Sequence, residues 1–195
     1  MKIARKHFIG LAACAALAIT GVALVPAASQ ATTAASVTLS AGSLSFLNST
    51  PATSITFPAT ALNGTNQSVT APLAFDIGDA TGSGSGWNVT ATSTTFTSTT
   101  HTLPTTSTTI QSAPTAACDT GATGCAPATT TVSYPYTLPA ATTAPTATKL
   151  FNASASTGMG DQAFTPTWTL AIPANAVASA TAYTSTWTFS LVSGP

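Results

Sequence analysis

The chain has 195 residues and almost no charge: only 4% are Asp, Glu, Lys or Arg, against about 25% in a typical soluble domain. Three of its four basic residues fall within the first six positions, so residues 32–195 keep Lys149 alone against Asp76, Asp79, Asp119 and Asp161, a formal net charge of −3. Such a chain cannot neutralise a run of phosphates, which excludes nucleic-acid binding and electrostatic docking on anionic lipid.

Lys2, Arg5, Lys6 and His7 open the chain, residues 8–25 are rich in Ala, Leu and Val, and Ser29-Gln30-Ala31 offers small residues at the two positions a signal peptidase reads. This order predicts a signal peptide over residues 1–31, cut after Ala31. The apolar run sits at the lower edge of the spanning range of about 17 to 25 residues and is followed by Pro26, so no membrane span is expected after cleavage. Leu11-Ala12-Ala13-Cys14 resembles the box at which bacterial lipoproteins are acylated on Cys14. Most of the apolar stretch follows that cysteine, the reverse of what a lipid-anchor signal needs. Residues 32–195 are enough for a single domain with its own core.

Val37 and Leu39 share one parity and Leu44 and Phe46 the other, which predicts two short strands or one with a bulge about Gly42. Ile55 and Phe57 form the next short strand, and Asn63-Gly64 is a turn signal. Val69, Ala71, Leu73, Phe75 and Ile77 then alternate without a break. They lead into Gly82-Ser83-Gly84-Ser85-Gly86, where the backbone turns at little steric cost. Trp87, Val89 and Ala91 follow on one face of a new strand, with Asn88, Thr90 and Thr92 on the other. The two strands flanking the Gly/Ser turn are expected to pair as antiparallel neighbours.

From residue 97 to residue 128 the alternation dissolves into Thr, Ser and Pro, with a short strand expected near Ile110. This stretch reads as a loop excursion. It carries Cys118 and Cys125, whose six-residue, Gly-containing spacer in an exported chain predicts a disulfide. Val132, Tyr134, Tyr136 and Leu138 resume the alternation, and Pro135 among them places that strand at a sheet edge or a bulge. A short Leu150-Phe151 segment, a Gly158-Met159-Gly160-Asp161 turn and a strand with Trp168, Leu170 and Ile172 follow. The last strand shows Tyr183, Trp187, Phe189 and Leu191 on one side and Thr184, Thr186, Thr188 and Ser190 on the other. Short alternating strands between Gly, Pro and Asn turns predict an all-β sandwich of roughly eight to ten mostly antiparallel strands.

Acid/base and nucleophilic chemistry needs groups that exchange protons near neutral pH. Residues 32–195 offer His101, four aspartates and no Glu. Ser-centred G-x-S-x-G is absent from the Gly/Ser turn, whose centre is Gly84. Asp76 and Asp79 are three residues apart at a strand end and in its turn, a placement that suits capping. No catalytic residue, metal site or cofactor is expected, and the chain reads as a non-enzyme. What remains is aromatic: Trp87, Trp168, Trp187, Tyr134, Tyr136 and Tyr183 offer flat surfaces on which sugar rings stack, while inward-facing rings in a β-sandwich build its core.

The run DIGDATGSGSGWNVTATSTTF resembles the first signature of the WxL-domain surface proteins of Gram-positive bacteria, an acidic, Gly-rich turn before a Trp-x-Leu strand. Here the triplet is Trp87-Asn88-Val89. The ending YTSTWTFSLVSGP resembles the second signature, with Phe189 nearest the Trp position, Leu191 as its aliphatic partner and Trp187 two residues earlier. Trp168-Thr169-Leu170 matches the triplet literally, one strand upstream. The resemblance implies a secreted β-domain that attaches noncovalently to the cell wall, to peptidoglycan or another wall glycan, often beside other surface proteins. It makes Trp87, Val89, Trp168, Leu170, Trp187, Phe189 and Leu191 the signature or wall-binding candidates. The alternative is a structural or adhesin subunit, whose sheet edges pair with other surface proteins.

Overall fold

Because most segments carry an apolar residue at every second position, they form strands with one buried side. The computed structural model describes residues 29–119, 121–122 and 124–195. Among them it contains no helix and fourteen strands, five of which are only two residues long. In chain order these are β1 (Leu44–Phe46), β2 (Gln67–Pro72), β3 (Phe75–Asp79), β4 (Trp87–Thr94), β5 (Thr97–Ser98), β6 (His101–Thr102) and β7 (Thr108–Ile110). They continue with β8 (Ala117–Cys118), β9 (Tyr136–Thr137), β10 (Ala140–Ala141), β11 (Thr148–Ala153), β12 (Gly160–Phe164), β13 (Thr167–Ile172) and β14 (Trp187–Ser193). The expected signal peptide and Cys14 fall outside the described residues, except for an exposed coil at residues 29–31.

Residues 39–195 cluster as one unit, an all-β sandwich. One sheet has the order β1-β3-β12-β8, and another the order β2-β13-β7-β9. The third is built on β4. Ala91 pairs with both Phe189 of β14 and Thr148 of β11, while Ser93 pairs with both Trp187 of β14 and Ala140 of β10. β14 therefore occupies one edge of β4, and β11 and β10 follow each other along the opposite edge. β5 and β6 form a small separate hairpin.

Rings from all three sheets meet in the core. Phe151 of β11 stacks on Phe164 of β12 at 4.2 Å, Phe164 on Phe75 of β3 at 5.1 Å, and Phe189 of β14 meets Phe75 edge-on at 5.0 Å. Trp187 meets Trp168 of β13 at 4.8 Å. Offset and edge-on pairs of this kind contribute about 0.5–1.5 kcal/mol each beyond the area they bury.

Several expectations are corrected. The alternation from Val69 to Ile77 belongs to two strands in different sheets, and neither β2 nor β3 pairs with β4. Pro72 has no amide hydrogen with which to continue a ladder. The next amide, of Leu73, donates to Pro166 O at 3.1 Å instead. Since both sheets face one core, the side-chain parity survives the crossing, and the Gly/Ser segment carries the chain between sheets rather than closing a hairpin. Val37 and Leu39 make no strand and are 83% and 87% exposed; pairing begins only at Gly42, whose amide donates to Ala80 O at 2.9 Å. Ile55 and Phe57 pack against the core from a coil, with Phe57 near Phe96 and Trp187.

Other expectations are met. Asn63 Oδ1 accepts from the Thr65 amide at 3.0 Å in the turn at Gly64. β7 forms at Ile110, and β9 lies at a sheet edge after Pro135. Cys118, at the end of β8, is bonded to Cys125 with Cα atoms 5.8 Å apart. Apart from these met expectations, the stretch 97–128 contains β5 to β8, with β7 between β13 and β9.

Candidate functional site

The two segments singled out by sequence lie side by side. Trp87-Asn88-Val89 opens β4, and β14 runs antiparallel to it with Ser193 opposite Trp87, Leu191 opposite Val89 and Phe189 opposite Ala91. The final residues are tied to the same place. Asn88 Nδ2 donates to Gly194 O at 2.7 Å, the Gly194 amide to Gly86 O at 2.9 Å, and Lys149 Nζ to Pro195 O at 2.6 Å.

Trp87 has no exposed surface. Its indole Nε1 donates to Gly158 O at 2.8 Å, and its ring lies 6.0 Å from that of Phe151. Glycine is needed where the indole seats: a Cβ on Gly158 would come within 2.6 Å of Trp87 Nε1, at a φ of +77° that residues with a Cβ rarely adopt. A Cβ on Gly86 would lie 2.2 Å from Ala153 O. Val89 and Trp168 are likewise wholly buried, and Leu170 nearly so. Trp168 and Leu170 sit on β13 in another sheet, and the Trp168 ring reaches the terminal strand. Trp187, Phe189 and Leu191 are half-buried. The signature side chains thus build the interior, and in this conformation Trp87 and Trp168 offer nothing to a polymer outside.

The same strands present a different chemistry outward. Residues opposite one another in a ladder share a face. Ser190 pairs with Thr90, and Thr90 with Lys149 of β11, so the three form a row across β14, β4 and β11 with Thr188 beside it. Ser190, Thr188 and Lys149 are exposed and Thr90 is half-exposed. With strands about 4.8 Å apart, the row is roughly 10 Å wide. Thr92 next to it is covered, its hydroxyl donating to Pro145 O at 2.6 Å. Alternation alone gives the outward Thr and Ser, but it carries no signal for Lys149, whose place depends on the register of β11.

Several ionisable groups elsewhere are engaged in structure. Asp79 Oδ1 accepts from the Thr81 amide at 3.0 Å and hydroxyl at 2.6 Å, capping the turn, and Asp76 accepts from Asn48 Nδ2. His101 is half-exposed in the β5–β6 hairpin. Burial, with the neighbouring Tyr136 phenol adding to it, pushes the Tyr134 pKa up to about 12, and its hydroxyl donates to Leu150 O at 2.6 Å. Burial raises Tyr136 as well. Among the described residues no three His, Cys, Asp or Glu side chains lie close enough to hold a metal ion, and no helix is long and apolar enough to cross a membrane.

Compared with known families, residues 25–195 match the model of the WxL domain, a surface, cell wall-binding domain. The chain belongs to the WxL family. No curated protein and no solved structure matches it. The matched range includes both segments that resemble the family's signatures, and these two segments pair as β4 and β14. As a WxL domain it acts at the cell surface, attached to the cell wall.

Proposed function

We infer that this WxL domain is an exported, non-catalytic module that binds the peptidoglycan of a Gram-positive wall through the outward face of β14, β4 and β11. The observation carrying this reading is the division of the paired signature strands into an aromatic interior and an outward row of Ser190, Thr90 and Lys149. Hydroxyls at strand spacing hydrogen-bond the hydroxyls and amides of a glycan. Lys149, the only Lys or Arg after residue 6, supplies a cation for the carboxylates of muramic acid and stem peptides. A rigid sheet holds these groups in place before binding, which limits the ordering cost of association.

Sedimentation with purified peptidoglycan tests the reading. The protein is expected in the pellet, and Lys149→Glu with Ser190→Glu is expected to weaken binding at least about tenfold, equivalent to ~1.4 kcal/mol. Wild-type protein that stays in the supernatant, or a double variant that binds as well as wild type, overturns it.

A further inference from the structure

Among the described residues β14 has one ladder partner, β4, and β1 packs beside it without pairing. The pairing of β14 with β4 runs through Thr188, Ser190 and Val192, in phase with the Thr94 amide donating to Thr186 O and the Gly194 amide to Gly86 O, each at 2.9 Å. In an antiparallel ladder the intervening residues point their backbone groups the other way. The amides and carbonyls of Trp187, Phe189 and Leu191 therefore face the open edge, and no described strand takes them.

Facing that edge across a cleft of about 550 Å³ is the coil at residues 51–55. Among the described residues its backbone makes no hydrogen bond either. Phe46, Ile55, Leu73, Trp187 and Phe189 give the cleft an apolar part, beside Ser and Thr residues of the coil and of β14. β14 itself has no Lys, Pro or bulge to resist strand addition.

A segment suited to this cleft lies elsewhere in the sequence. Residues 29–41 make no backbone hydrogen bond among the described residues. Residues 36–40, SVTLS, place Val37 and Leu39 two apart, and both are left in solvent. We propose that the cleft beside β14 takes residues 36–40 of a second copy of this chain as an added strand. Main-chain hydrogen bonds to Trp187, Phe189 and Leu191 hold it, and Val37 and Leu39 turn onto the apolar floor. The charges match: neither the segment nor the cleft lining holds an ionisable group, so closure strips no ion of water. Length matches too, since the ten unpaired residues 32–41 left by cleavage after Ala31, extended at about 3.3 Å each, reach roughly 33 Å, beyond the ~23 Å of a seven-residue strand. The open edge of β14 is distinct from its wall-facing side, so one molecule can hold a neighbour and the wall together.

The test is the mass of the purified protein at submillimolar concentration, by light scattering and sedimentation velocity. Wild type is expected to be at least twice the monomer mass, and Val37→Asp with Leu39→Asp, both at exposed positions, is expected to be monomeric. A synthetic peptide of residues 32–43 added to that double variant is expected to shift the tryptophan emission, to which Trp187 is the half-exposed contributor. A monomeric wild type, an assembly that survives the double substitution, or a peptide that leaves the emission unchanged overturns the proposal. A monomer that still pellets with peptidoglycan refutes this proposal alone, and an assembly that does not pellet refutes the wall reading alone.

Discussion

Replacing Trp87 with Phe separates a structural role from a contact role, because the two predict opposite results. The substitution removes the indole N–H that donates to Gly158 O at 2.8 Å, in a place with no exposed surface. An orphaned buried carbonyl costs about 1–3 kcal/mol. The lost ring atoms, next to Phe151 and Phe164, add about 1–2 kcal/mol in transfer and cavity terms. The expected destabilisation is about 3 kcal/mol. For a domain of this size it lowers Tm by roughly 6–12 °C. Calorimetry reads the shift, and urea unfolding should show a lower midpoint at unchanged m. Below the transition, the folded Trp87→Phe protein should pellet with peptidoglycan as wild type does. A Tm within about 2 °C of wild type would show that the Gly158 hydrogen bond is not what seats the ring. Loss of wall binding by a fully folded variant would show that Trp87 touches the ligand.

Gly158→Ala attacks the same seat from the other side, with a Cβ 2.3 Å from Ala153 Cβ and 2.6 Å from Trp87 Nε1 at positive φ. It should cost about 2–4 kcal/mol by denaturant titration. Stability should fall at alkaline pH. The folded Tyr134 pKa of about 12 lies above the ordinary 10, so its contribution is complete below pH 10 and is lost as pH rises toward 12. Tyrosinate absorbance together with circular dichroism checks this, and Tyr134→Phe should flatten that limb. Opening the Cys118–Cys125 bridge by Ser substitution at both positions should lower stability by about 2 kcal/mol, because the ring it closes is small. Peptidoglycan sedimentation should be unchanged in that variant.

Alternation was a faithful guide to which way side chains point, and a poor guide to which strands meet. Trp87, Val89, Trp168 and Leu170 are buried as their parity requires, and Tyr136 and Leu138 follow the same rule. Parity is local, whereas partners are chosen by the core. The segment from Val69 to Ile77 keeps its period of two while changing sheets, and Pro72, with no amide hydrogen to continue the ladder, is the residue that marks the crossing. β12 lies between β3 and β8 in its sheet, yet GDQAF shows a turn signal and one aromatic, Phe164. Its buried polar position, Gln162, accepts from the Ala128 amide at 2.7 Å, a partner far along the chain. The interior half of the candidate site was legible from the Gly-rich turn and the terminal strand. The outward half was not, because Lys149 reaches Thr90 only through a register that shifts between Lys149 and Phe151.

The pairing of β4 with β14 also sets an order of events in folding. Val89 and Leu191 are opposite each other yet separated by about a hundred residues, and loop closure of that length must precede any reward from contact. Until residues 187–193 arrive, one edge of β4 stays bare, and Phe75 and Trp168 lack the rings of Phe189 and Trp187. If the chain is exported unfolded, this domain is expected to stay loose until residues 187–193 are free to pair. The pairing of β4 with β14 thereby acts as a timer for the domain, holding back the finished sheet until its last strand is available.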